Sequence, residues 1–172
     1  MMQMLAAGGI PPLMDRLRTP DESNPRGYFE FDPVKRLRTD QSWLEQARGR
    51  AVKIIHLLVR ELPTDGRFRY RIILMRRAID EVLASQRAML ERQGKKSADE
   101  STLARIYQGQ LAELTNWLRT HKDVTSLSID YGELLKHPDS AVHRIDNFLG
   151  DGLDLVAMAK AIDPALYRQR VT

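Results

Sequence analysis

A chain of 172 residues is long enough for one domain with a substantial core. Its 42% hydrophobic and 29% charged content excludes a disordered or fibrous polymer, and the absence of cysteine excludes disulfides, thiolate metal sites and a cysteine nucleophile. The net charge of +4, with arginine outnumbering lysine, favours anionic partners that suit a guanidinium fork.

Met1 to Ala7 is apolar and helix-prone and stops at Gly8-Gly9. Nothing caps its beginning, so it reads as the tail of a helix that starts upstream. Ile10 to Pro33 carries Pro11-Pro12, Thr19-Pro20-Asp21 and Asn24-Pro25-Arg26-Gly27, which predict a long irregular segment. Ser42 to Arg48 predicts a short helix with Trp43, Leu44 and Ala47 on its apolar side. Ala51 to His56 reads as a β-branched strand, followed by a helical turn before Pro63.

Phe68 to Met75 predicts a second strand, whose continuous Ile-Ile-Leu-Met end implies burial on both faces. A helix is expected from Ile79 to Gln93, with Asp80 and Glu81 against its N-terminal dipole. Ser101 to His121 repeats apolar residues at helical spacing, through Leu103, Tyr107, Leu111, Leu114 and Leu118. Val124 to Tyr131 predicts a third strand, and Ser140 to Leu149 and Leu153 to Ala161 two short helices. Strands separated by such helices imply crossovers and a parallel sheet covered on both faces, in an α/β fold.

Parallel sheets gather ligands at the C-terminal ends of their strands. That expectation directs attention to His56, to Arg76-Arg77 and to Tyr131, along one edge. Two guanidinium groups running into a helix N-terminus, with Ser85 seven residues beyond Ala78, suit a phosphate monoester. The same spacing suits arginines paired with surface carboxylates and a solvent-facing serine. Tyr131 closing a strand suits packing as well as binding, and His56 suits a structural role as well as a general base. His56, His121, His137 and His143 have no i,i+4 pairing that predicts zinc, and no metal is expected. No basic stripe or aromatic-basic motif points to nucleic acid, and the longest apolar runs fall far below spanning length, so neither nucleic acid nor membrane is an expected partner.

The stretch from Arg76 to Ser85 resembles the sulfotransferase family, which transfers a sulfuryl group from 3'-phosphoadenosine 5'-phosphosulfate on a P-loop NTPase-like fold. In that family an arginine at a strand end and a serine eight residues later hold the donor's 3'-phosphate. Arg77 and Ser85 match that spacing; Arg76 is the rival, on its distance to Asp80, and Ala78 stands where the family has proline. Ser128-Ile-Asp-Tyr131-Gly-Glu-Leu-Leu-Lys-His-Pro138, with Phe148-Leu-Gly150, is similar to the family's strand-Tyr-Glu-Asp-Leu stretch and Phe-Leu-Gly helix end. The resemblance places Tyr131 near the adenine. Lys53-Ile-Ile-His56 through Leu62-Pro63 resembles the segment in which a lysine faces the sulfuryl group and a histidine takes the acceptor's proton, with a spacing that differs by one residue. Glu30, in Asn24-Pro-Arg-Gly-Tyr-Phe-Glu30, is the competing base.

The resemblance covers nearly the whole chain and implies a three-layer fold over residues 1–172 as a single domain. Family members also carry an N-terminal strand and a loop like Pro-Arg-Ser-Gly-Thr that cradles the 5'-phosphosulfate. Neither is present in this sequence, which begins inside the following helix. The expectation is therefore a cytoplasmic sulfotransferase-like domain lacking its first strand, with little activity on its own. Its implied partners are the phosphosulfate donor and a small-molecule or peptide acceptor. The alternative is a non-catalytic degenerate domain that binds a nucleotide or a partner through an open sheet edge.

Overall fold

A computed structural model describes residues 1–15, 17–21, 24–92, 94 and 99–166. Its centre is a parallel pair of strands, β1 (Tyr70–Arg76) and β2 (Val124–Asp130), in register from Tyr70 opposite Val124 to Arg76 opposite Asp130. Parallel pairing requires a crossover. Two helices supply it, α2 (Ile79–Arg92) and α3 (Glu100–Thr120). The expected helix from Ile79 to Gln93 is thus found, Gln93 itself lying outside the described residues. Asp99 caps α3, its carboxylate accepting from the Thr102 N–H at 2.8 Å.

Successive side chains of a strand point to opposite faces, so an unbroken apolar strand feeds two cores. Tyr70, Ile72 and Leu74 pack on one core, formed by Leu114 and Leu118 of α3 with Leu37, Trp43, Leu44, Leu62 and Phe68. Ile73 and Met75 pack on the other with Leu127 and Ile129 of β2. That second core is closed by α1 (Met2–Ala7), α4 (Tyr131–Lys136), α5 (Pro138–Leu149) and α6 (Leu155–Lys160). Helices therefore flank the short sheet, giving a mixed α/β architecture.

Close approaches fix how these helices sit. A Cβ on Gly8 would lie 2.7 Å from the Met158 side chain, so the end of α1 passes α6 without room for a larger residue. Gly150 ends α5 in the left-handed conformation at φ 103°, where a side chain would also meet the Arg71 guanidinium. Arg71 in turn donates to the Leu149 carbonyl, tying β1 to the helix end.

The structure departs from the sequence reading most clearly in two places. The expected strand Ala51 to His56 forms only one parallel bridge, Ala51 with Pro12, and His56 opens a 3-10 turn, His56–Glu61. Its alternation is nevertheless strand-like: Val52 and Ile54 pack on the first core, while Lys53 and Ile55 are exposed. Extended backbone becomes a strand only where a neighbour completes the ladder, and here the neighbour ends after one pair. The second departure is α4, absent from the sequence reading. Asp130 initiates it directly from β2, its carboxylate accepting from the Glu133 N–H at 3.0 Å. Among the described residues no helix is long and apolar enough to cross a membrane.

Candidate functional site

Because β1 and β2 are parallel and in register to Arg76 and Asp130, the turn into α2 and the turn into α4 leave the same end of the sheet. That places Arg77 and Tyr131 together. The Arg77 guanidinium carbon lies 5.6 Å from the centre of the Tyr131 ring, within range of a cation–π contact. Arg77 Nε also donates to Glu81 Oε2 at 2.7 Å, across the start of α2. Glu81 is only 6% exposed, and a carboxylate so buried needs a charged partner. Burial pushes the Tyr131 phenol pKa above its ordinary value; Arg77 opposes that shift and Asp163 adds to it.

The other predicted members of this group take different positions. Arg76 and Asp80 face solvent, so the arginine-acid pair that forms is Arg77 with Glu81 rather than Arg76 with Asp80. Ser85 is exposed one helical turn beyond Glu81, on the stripe that a four-residue spacing generates. Arg77, Glu81 and Ser85 thus share one side of the turn and helix, with the carboxylate between the two donors.

A second group forms around Tyr28. Lys53 Nζ donates to the Tyr28 carbonyl at 3.0 Å, and the Tyr28 hydroxyl donates to Asp21 at 2.7 Å. The Arg18 guanidinium lies 3.3 Å above the Tyr28 ring and donates to Glu30 Oε1 at 3.3 Å. Phe29, between Tyr28 and Glu30, is held at φ 51°, a left-handed conformation that a bulky residue adopts only under constraint. Lys53 and Glu30 are therefore brought to the same loop. From its preceding turn, Arg26 reaches Asp163 Oδ2 at 2.7 Å and the Ala161 carbonyl at 3.2 Å. That contact ties the Tyr28 loop to the segment whose charge is felt by Tyr131.

His56 engages a third element. Its Nε2 lies 2.9 Å from Gln110 Oε1 on α3, and Tyr107 packs edge-on at 5.1 Å between ring centres. With Oε1 as acceptor, Nε2 carries the proton and Nδ1 is the basic nitrogen. A cleft of about 360 Å³ lies elsewhere, where the end of β2 meets α4 and α5, lined by Asp130, Glu133, His137, Ser140 and Arg144 among others. None of the predicted site residues lines it. Among the described residues no group of three or more histidines, aspartates or glutamates is arranged to hold a metal ion.

Sequence reasoning did not assign Glu81, Arg26, Asp163 or Tyr28 to the site. Glu81 carries a signal, an acid four residues after Arg77 at a helix start, although dipole complementarity accounts for an acid there equally well. The pairing of Arg26 with Asp163 spans 137 residues and leaves no local trace. Comparison of the chain with protein-family models, with curated proteins and with solved structures gave no match.

Proposed function

We propose that the chain is a sulfotransferase-like domain of the P-loop NTPase-like class, which binds the bisphosphate end of 3'-phosphoadenosine 5'-phosphosulfate at the Arg77–Tyr131 end of the sheet. One observation carries the reading: two residues singled out for donor binding, 54 positions apart in sequence, stand guanidinium over ring at 5.6 Å. Such a pair offers a planar fork to a phosphate and a π-face to a base. Arg77, rather than Arg76, takes the phosphate, because it is the one held at the tyrosine; Ser85 lies on the same stripe as a further donor.

In the transfer, the acceptor hydroxyl or amine attacks sulfur, the S–O bond to the 5'-phosphate breaks, and adenosine 3',5'-bisphosphate leaves. Lys53 supplies positive charge to the sulfuryl oxygens and a base takes the acceptor proton. The loop arrangement favours Glu30 over His56 as that base, since Lys53 reaches the carbonyl of Tyr28 on the loop that carries Glu30, whereas His56 is bonded to α3.

A second reading, a non-catalytic nucleotide- or partner-binding domain, draws on the same contacts. Arg77, Lys53 and His56 each already have a protein partner, in Glu81, Tyr28 and Gln110. Thermal denaturation with adenosine 3',5'-bisphosphate tests the shared part. A ligand at about 100 times its Kd stabilises by about 2.7 kcal/mol, so wild type shifts upward and Arg77→Ala does not. A shift that survives Arg77→Ala and is lost in Arg76→Ala overturns the arginine assignment. Because the transferase reading expects only weak activity, transfer of labelled sulfuryl to phenolic, alcoholic and amine acceptors is read against the uncatalysed rate: turnover above it supports the transferase, and bisphosphate binding with none above it supports the non-catalytic domain.

A further inference from the structure

Two described acids are buried, Asp146 and Glu81, and they are accounted for differently. Asp146 has a structural task, accepting from the Leu153 N–H at 2.9 Å to fix the chain after α5. Glu81 turns inward from the first turn of α2, although its neighbour Asp80 serves the helix dipole from solvent. Its Oε2 accepts from the Nε of Arg77 at 2.7 Å. The pair bridges the break between β1 and α2, because Arg77 belongs to the turn and Glu81 to the helix. An arginine side chain is rich in rotamer entropy, and a guanidinium gripped at Nε and backed by an aromatic ring has lost most of that freedom before any ligand arrives. Binding energy that would have gone into ordering the side chain then appears as affinity.

We infer that Glu81 is a positioning residue, which holds the Arg77 fork over Tyr131 so that an incoming phosphate meets it already oriented. The inference rests on the proposed bisphosphate site and deepens it. A competing role predicts the opposite sign: a carboxylate between Arg77 and Ser85 that merely repels the phosphate weakens binding, and its removal strengthens it.

Calorimetric titration with adenosine 3',5'-bisphosphate distinguishes them. Glu81→Ala weakens binding about tenfold, while Glu81→Gln, whose amide oxygen still accepts from Nε, stays within about threefold of wild type. Neither substitution changes the residual affinity in the Arg77→Ala background. Tighter or unchanged binding in Glu81→Ala overturns the inference, and so does an equal loss with and without Arg77. A ligand-free measurement stands beside it: the Arg77 Nε–H resonance is protected from solvent exchange in wild type and Glu81→Gln and is lost to exchange in Glu81→Ala. Persistence of that protection in Glu81→Ala overturns the positioning role while leaving the bisphosphate reading intact. Failure of wild type to bind the bisphosphate overturns the proposed site and the inference together.

Discussion

The two ends of the sheet carry the same chemistry in different surroundings. Before β1, Arg48 and Arg67 flank the Phe68 ring at 4.6 and 5.7 Å, paired with Glu45 at 2.6 Å and Asp65 at 2.7 Å. After β1, Arg77 lies over Tyr131 and pairs with Glu81 at 2.7 Å. Distances do not separate the ends; exposure does. The Asp65 and Glu45 side chains are 49% and 65% exposed, that of Glu81 only 7%. Solvent screens the first set, and pairs of that kind contribute little to stability. Removing one partner from the buried pair strands a charge that water reaches only in part.

The largest expected effect follows from that contrast. Glu81→Ala destabilises the fold by about 3 kcal/mol, the low end for breaking a buried pair because Arg77 keeps some exposure. Urea denaturation reads the loss directly. Arg77→Ala destabilises similarly, and the double variant loses less than the two single losses added, since the residues share one interaction. Strict additivity would show that the pair is no tighter coupled than those at the other end.

Raising the pH tests the tyrosines. Tyr70 donates its hydroxyl to the Pro63 carbonyl at 2.9 Å, and burial pushes its pKa up to about 12. The folded state therefore keeps its proton while the unfolded chain loses one near the ordinary value of 10. Stability is full below pH 10 and falls as the pH rises towards 12. The half-buried Tyr131 is shifted in the same direction. The melting temperature should drop by a few degrees over that interval, and Tyr70→Phe should flatten the drop while lowering stability at neutral pH through the lost hydrogen bond. An undiminished drop in Tyr70→Phe would assign the titration to other residues.

The smallest effects belong to the exposed pairs. The Arg67 backbone and guanidinium hold the Asp65 carboxyl below its usual range, and the Arg48 guanidinium does the same for Glu45. Even so, Asp65→Asn and Glu45→Gln should leave the melting temperature unchanged within error. Raising salt to about 1 M, where the Debye length is near 3 Å, should not reduce the cost of Glu81→Ala. A salt-sensitive Glu81 would mean that water reaches the pair.

Particular residues show how far local pattern carried. The Ile-Ile-Leu-Met run of β1 announced burial on two faces, and its side chains do divide between two cores. Helical spacing announced α3, whose inward Leu114 and Leu118 are buried. The Ala51–His56 stretch showed the right alternation and the wrong element, because a ladder depends on a neighbour that local spacing does not contain. Short α4 was missed although Asp130 and Glu133 stand three apart like a capping pair; six residues of helix have too little apolar periodicity to stand out.

At the candidate site, residue types and chain order determined that arginines at a strand end precede a helix and that a tyrosine follows the next strand. Given a parallel sheet, they also determined that both lie at one end of it. Tertiary structure decided the rest: that Arg77 rather than Arg76 meets the ring, that Glu81 rather than Asp80 turns inward, and that Lys53 reaches the loop carrying Glu30 while His56 joins α3. The reason is physical. Which of two adjacent charges is buried depends on the phase at which a helix leaves its strand and on what packs over it, and both are set by contacts between segments far apart in the chain.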